Sequence, residues 1–278
     1  MAKVKVNGIN LYYEVHGQGF PVVFLHGFAG TANMWRPQIP ALAKGYRFII
    51  YDARGHGQSD SPPSVEQYTA DIVVEDLRQL LKSLKIDRAV VGGLSMGGYE
   101  SLRFYLRHPE MVAALILMDT GPGYRNPARR DEWNRQQAER ARLLETQGMA
   151  SYVAMAPSYV NKEMLLKQSA IGLANMARTV VAQHDPLVIE SLENIKVPTL
   201  VLVGEKDTPF LQAAEYMSKA IPGAQRKVIS KAGHAANIDN PDEFNRAILS
   251  FLGKLGLAKG SAGNLSHNSR FHLLWSHR

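Results

Sequence analysis

The chain of 278 residues contains no cysteine, which excludes thiol catalysis, disulfides and cysteine-ligated metal. No apolar stretch approaches the ~18 residues that a membrane span needs. The opening Met1-Ala2-Lys3-Val4-Lys5-Val6-Asn7-Gly8 has no apolar run of the signal-peptide kind. The expected location is therefore cytoplasmic, where a cysteine-free chain is at home, with no membrane partner. Acidic residues are scarce towards the end, and Lys259, Arg270 and Arg278 account for part of the net charge of +7. The remaining basic cluster, Arg125 to Arg142, is interleaved with Asp131, Glu132, Glu139 and Glu145. That pattern reads as a solvated helix face, with attraction of a carboxylate-bearing substrate such as a lactone acid as the alternative, and no nucleic-acid partner is expected.

What remains is an ordinary globular composition, 45% hydrophobic and 21% charged, long enough for one large α/β domain. Val4 to Val6 and Leu11 to Val15 alternate around Asn7-Gly8, as in a hairpin. Continuous apolar runs follow at Pro21 to Leu25, Tyr46 to Tyr51, Ala89 to Val91, Ala113 to Met118 and Thr199 to Val203, with a short one at Val228-Ile229. Runs of this kind suit strands buried on both faces of a parallel sheet. Helical patterns lie between them, at Asp71 to Leu84, Tyr99 to Arg107, Pro209 to Ala220 and Asp242 to Leu255. Alternating strands and helices predict an α/β fold with helices on both faces of the sheet.

The alternation breaks from Pro122 to His184, which carries helical stretches, the breakers Gly148 and Pro157, and no clear strand. Residues 122–184 are expected to form a helical cap over the C-terminal strand ends, where such sheets hold ligands. Residues 1–121 and 185–256 would then form the core, and 257–278 an appended tail, vector-encoded or disordered. Cap residues such as Trp133, Leu144, Tyr152, Met155, Tyr159, Met164, Leu165 and Leu173 should pack the cap, and some should line an apolar pocket.

The strongest chemical signal is Gly93-Leu94-Ser95-Met96-Gly97, directly after a strand run and directly before a helix. A sharp strand-to-helix turn lifts the Ser95 hydroxyl out at the strand tip, and the close backbones demand small residues at 93 and 97. A serine needs a base to accept its proton during attack. His234, in Ala232-Gly233-His234-Ala235 after the last strand, is the candidate. A carboxylate at another strand end should hold the imidazole's tautomer. Asp207, Glu205 and Asp119 all occupy such positions. The backbone N–H groups of Met96 and Phe28 are the candidate donors to an oxyanion. His26 is expected to brace its loop without a catalytic part.

These motifs resemble the α/β-hydrolase superfamily over roughly Asn7 to Leu255. The matching stretches are His26-Gly27-Phe28, Asp52-Ala53-Arg54-Gly55-His56-Gly57-Gln58-Ser59, Gly93 to Gly98, Val203-Gly204-Glu205-Lys206-Asp207 and Ala232-Gly233-His234, in the family's order. The resemblance implies an eight-stranded, mostly parallel sheet with a helical cap after strand six. It selects Asp207 as the acid and makes Asp52 to Ser59 a structural turn. Gly93 to Gly98 is similar to serine carboxylesterases, 3-oxoadipate enol-lactone hydrolases and cofactor-free perhydrolases. Serine at 95 departs from the aspartate of haloalkane dehalogenases and epoxide hydrolases, and Phe28 stands where the perhydrolase group often has Trp.

The expected activity is cleavage of a small-molecule carboxylic ester through an acyl-serine, with Ser95, Asp207 and His234 as the triad. No cofactor or metal is implied. Lactone, thioester or carbon–carbon cleavage by the same triad, perhydrolysis, and a sensor on the same scaffold are the alternatives. The sequence leaves monomer or homo-oligomer open.

Overall fold

The computed structural model describes residues 2–154 and 162–257. Met155, Pro157, Tyr159 and the tail from residue 258 lie outside the described residues. Asn7 and Gly8 both take left-handed backbone conformations, with φ of 42° and 78°. That is the geometry of a tight two-residue hairpin turn, whose twist matches the strands it joins. It joins β1 (Ala2–Val6) to β2 (Ile9–His16), which pair antiparallel.

Six further strands complete the sheet: β3 (Phe20–Leu25), β4 (Tyr46–Tyr51), β5 (Ala89–Leu94), β6 (Val112–Met118), β7 (Thr199–Gly204) and β8 (Gln225–Ile229). The eight strands run in the order β1-β2-β4-β3-β5-β6-β7-β8, parallel from β4 to β8. The reversal of strand order beside β3 and β5 opens the crevice in which such sheets bind ligands.

The helices, in chain order, are α1 (Ile39–Leu42), α2 (Ala70–Ser83), α3 (Met96–Arg107), α4 (Pro127–Ala154), α5 (Lys162–Leu166), α6 (Ala170–Met176), α7 (Leu187–Glu190), α8 (Thr208–Ala220), α9 (Ala236–Asp239) and α10 (Pro241–Lys254). Side chains on β3 divide by the two-residue period of a strand. Val23 and Leu25 face a core with Leu77 and Leu81 of α2, Leu102 of α3 and Met217 of α8. Val22 and Phe24 face a second core with Trp35, Leu42 and Phe244, Ile248 and Phe251 of α10. Both faces are thus covered, which is why the central strands read as unbroken apolar runs.

Helices α4 to α7 fill the interval between β6 and β7. Gly148, at φ 70°, breaks α4 where the sequence places a breaker. Ala141, Leu144, Leu165, Leu173 and Ala174 form a small core of their own, against which Phe28 and Tyr152 pack. The segment meets the sheet at the loop that carries Phe28 and also through Met176, Val180 and Val188, which join the core beneath the sheet.

One buried ion pair ties the base of the fold. Arg54 donates through Nε and Nη2 to the two oxygens of Asp76 at 2.6 and 2.7 Å, and both side chains are buried. Asn7 also donates to Asp76, so the pair links the hairpin, α2 and the Asp52–Ser59 turn. Within that turn Asp52 accepts from Ala32 and Gln58 N–H, which accounts for its structural place. Among the described residues no helix is long and apolar enough to cross a membrane.

Candidate active site

Ser95 is the turn between β5 and α3, and its φ of 55° and ψ of −115° lie where a non-glycine residue is strained. The turn brings the α3 backbone against the sheet. A Cβ at Gly97 would stand 2.3 Å from Leu25 O, and one at Gly93 would stand 2.4 Å from Gly97 C. Only glycine fits either position. The strained conformation is anchored on both sides: Ser95 N–H donates to Met118 O at 2.9 Å, and Thr120 Oγ1 donates to Ser95 O at 2.7 Å.

Three loops from neighbouring strand ends converge on this turn. His26, at the end of β3, is buried; Nδ1 contacts Gly27 O at 2.8 Å and Nε2 accepts from Ala53 N–H at 3.0 Å. Burial holds its pKa below the usual histidine value, so it stays neutral. The ring braces the loop that carries Phe28, as expected. The N–H of Phe28 has no backbone acceptor among the described residues. The N–H of Met96 is the first of α3, with no preceding turn to receive it. Two donors of this kind beside a serine can receive a developing negative oxygen.

Asp207 follows β7 and is the residue from which α8 starts. Its Oδ2 lies 2.9 Å from His234 Nδ1, with the carboxyl 4% and the imidazole 23% exposed. Phe210 stacks on the His234 ring at 4.9 Å between centroids and 28° between planes. Of the other two carboxylates at strand ends, Glu205 faces away and accepts from Lys231 N–H. Asp119, at the tip of β6, is fully buried and accepts from Gly204 N–H at 2.7 Å.

Ser95, Met96, Phe28 and His234 line one cavity of about 870 Å³. The α4–α7 segment supplies Trp133, Tyr152, Met164 and Leu165 to its wall. Leu144 and Leu173 sit in the segment's own core, while Leu166 is half exposed. Among the described residues no group of side chains is arranged to hold a metal ion.

The cavity takes one arginine of the Arg125–Arg142 cluster, the part of it that bears on the alternative of a carboxylate-bearing substrate. Arg135 and Arg142 pair with Glu132 and Glu139 on the solvent side of α4, as the interleaved charges suggest. Arg140 departs from that reading: it lines the cavity, with its guanidinium carbon 5.1 Å from the centre of the Phe28 ring. It donates to Gln137 at 2.9 Å and has no carboxylate partner among the described residues. Among the described residues of the wall it is the only permanently charged side chain.

A family model for the alpha/beta hydrolase fold matches residues 21–241, most of the chain. The chain belongs to the alpha/beta hydrolase family. Relatives within it include 3-oxoadipate enol-lactonase 1 of Acinetobacter baylyi, 32% identical over 88% of this chain and 94% of that protein. Among solved structures, a thermophilic esterase from Thermogutta terrifontis, determined with malate bound, superposes with a TM-score of 0.83. It is 30% identical and the match covers 92% of this chain and 99% of the esterase. The enol-lactonase of Burkholderia xenovorans LB400 superposes with a TM-score of 0.79 at 28% identity, over 91% of this chain and 100% of the enol-lactonase. The hydrolase fold, with its eight-stranded sheet, is thus established for this chain.

Proposed function

We propose that this alpha/beta hydrolase cleaves carboxylic esters through an acyl-enzyme on Ser95. The observation that carries the reading is the Asp207–His234 contact at the mouth of the turn that presents Ser95. Nδ1 is held by Asp207, which leaves Nε2 as the nitrogen for the serine. Ser95 Oγ attacks the ester carbon and its proton passes to Nε2. The carbonyl oxygen takes the negative charge and is received by the N–H groups of Phe28 and Met96. The bond to the leaving alkoxide then breaks, and the proton on Nε2 goes to that oxygen. Water repeats the sequence on the acyl carbon and frees Ser95. Asp207 holds the ring through Nδ1 and stabilises the imidazolium in each half.

Helices α4 to α6, within residues 122–184, act as a cap that supplies the apolar wall for the acyl or alcohol group. Arg140 narrows the substrate to one bearing a carboxylate remote from the ester. Among the described residues of the wall, a single cation with no acid beside it favours an anionic group by a charge-assisted hydrogen bond. The enol-lactonase and malate-bound esterase among the relatives are in keeping with that preference.

Labelling with a fluorophosphonate tests the nucleophile. Serine attack displaces fluoride and leaves a phosphonyl group on Oγ. Mass spectrometry should find one adduct per chain, on the peptide that holds Ser95, and none on Ser95→Ala. An adduct elsewhere, or none at all, would overturn the assignment.

A further inference from the structure

A backbone donor is only as well aimed as the peptide that carries it. The N–H of Phe28 shares its peptide plane with the C=O of Gly27, and in a trans peptide the two point opposite ways. Gly27 O accepts from Gly30 N–H at 2.9 Å and from Nδ1–H of His26 at 2.8 Å. Those two bonds set the direction of the Phe28 N–H. Gly27 to Gly30 thus form a four-residue turn with Phe28 and Ala29 at its centre. Ala29 takes a φ of 59°, at the turn position where a positive φ favours glycine.

Both polar groups of this strained alanine are held. Its N–H donates to His56 Nε2 at 3.1 Å, and the other ring nitrogen of His56 faces Arg54 O at 3.1 Å and carries the proton. Its carbonyl oxygen accepts from Gln168 Nε2 at 2.6 Å. The oxygen of the same buried amide accepts from Gly57 N–H at 3.1 Å. One side chain therefore ties the turn that carries Phe28 to the Asp52–Ser59 turn that carries His56.

Gln168 comes from the cap, at the junction of α5 and α6. Its N–H donates to Leu165 O at 3.1 Å, and the next residue, Ser169, caps α6 by accepting from Gly172 N–H at 3.1 Å. The start of α6 is seated on the sheet domain. A Cβ at Gly172 would stand 2.7 Å from Gly55 O, and Asn175 donates to Pro63 O at 3.2 Å. Leu165 belongs both to the cavity wall and to the cap's own core. A shift of α5 and α6 is thus passed to Ala29 through the Gln168 amide.

We propose that Gln168 is a positioning residue that couples the seating of the cap to the oxyanion hole. Its amide holds Ala29 in the strained conformation and keeps the Phe28 N–H aimed at the adduct on Ser95. Although Gln168 borders the cavity, both ends of its amide are engaged with backbone, so it acts through the loop. The inference rests on the reading of Phe28 N–H as an oxyanion donor.

Two variants test it. Gln168→Met keeps the length of the side chain and removes both hydrogen bonds. Gln168→Glu, when protonated, can make both; when ionised, it turns a negative oxygen towards Ala29 O. With a neutral p-nitrophenyl ester, Gln168→Met should lower kcat by about 10- to 100-fold and leave KM within about threefold, as a misplaced catalytic group does. The kcat of Gln168→Glu, divided by that of the parent to cancel the titration of His234, should approach the parent at low pH and fall as pH rises. The backbone amide resonance of Phe28, in protein labelled with 15N-phenylalanine and assigned by its loss in Phe28→Leu, reports the aim of the donor without turnover. It should shift or broaden in Gln168→Met, while those of Phe244 and Phe251 on α10 stay in place. If the methionine variant does not fold, Gln168→Glu followed across pH by both readouts takes its place.

Full kcat with an unmoved Phe28 resonance would overturn the proposal. A loss confined to KM would overturn it too, since Gln168 would then act on the substrate directly, and so would a Gln168→Glu ratio that does not change with pH. Failure of the parent on every ester would sink the hydrolytic reading alone, because the Phe28 resonance still decides whether Gln168 sets that amide.

Discussion

The carboxylate of Asp207 and Nδ1 of His234 lie 2.9 Å apart, with the carboxylate almost wholly removed from solvent. Asparagine at 207 would keep the shape and present an amide to the ring, favouring the wrong tautomer. Asp207→Asn should therefore lower kcat by about 10³- to 10⁴-fold with little change in KM. Combined with Ser95→Ala it should add almost nothing, since the residues act as one unit. Steady-state kinetics on the two single variants and the double variant checks this.

Arg140 should discriminate between esters of equal size and different charge. The monoester of a short dicarboxylic acid with p-nitrophenol should be preferred over the uncharged ester of matching length. Arg140→Gln should remove about 10- to 100-fold of that preference, corresponding to about 1.5–3 kcal/mol for a hydrogen bond to a charged group. Activity on the uncharged ester should move less than about threefold, because its transition state makes no use of the cation. An unchanged ratio would show that Arg140 serves the stacking on Phe28 alone.

Glu100, on α3, has both carboxyl oxygens buried without a hydrogen-bond partner among the described residues. Burial pushes its pKa up from 4.5 to about 8. The folded protein thus keeps a proton that the unfolded chain releases once pH exceeds about 4.5. Stability from this group is complete below that value and falls as pH rises towards about 8, by a total on the order of 5 kcal/mol. Glu100→Gln removes the titration. Urea unfolding across pH 5 to 9, both values set by that window, should show the variant gaining on the parent as pH rises.

Gly97→Ala would place a Cβ 2.3 Å from a β3 carbonyl oxygen. Backbone cannot yield there as a flexible side chain could, so the expected loss is about 3 kcal/mol or more. Thermal melts should show a lowered midpoint or no folded protein.

Much of this site is legible in the sequence because it depends on local constraints. The glycines at 93 and 97 are required by the turn they flank, and Asn7-Gly8 fixes a hairpin by its own conformational preferences. The strand ends that carry Asp207 and His234 follow from apolar runs that stop abruptly. Which arginine of the cluster turns inward was hidden, because a helix dense in both charges reads first as a solvated face. A finer signal was present: Gln137, Ala141 and Leu144 are buried, and Arg140 lies on the same stripe at the spacing of successive helical turns. The contact of Asp119 with Gly204 N–H had no local signal, since it arises only when β6 and β7 lie side by side. Nor does local pattern reveal Phe210, whose ring reaches His234 from the first turn of α8.

Turnover of a p-nitrophenyl ester series, run from acetate to longer acyl chains with the parent protein and Ser95→Ala, tests the central claim most directly. The account predicts many turnovers per chain by the parent and a loss of about 10³-fold or more in the variant, as removal of a nucleophile gives. Equal turnover by both proteins, or none by the parent on any ester, would contradict it.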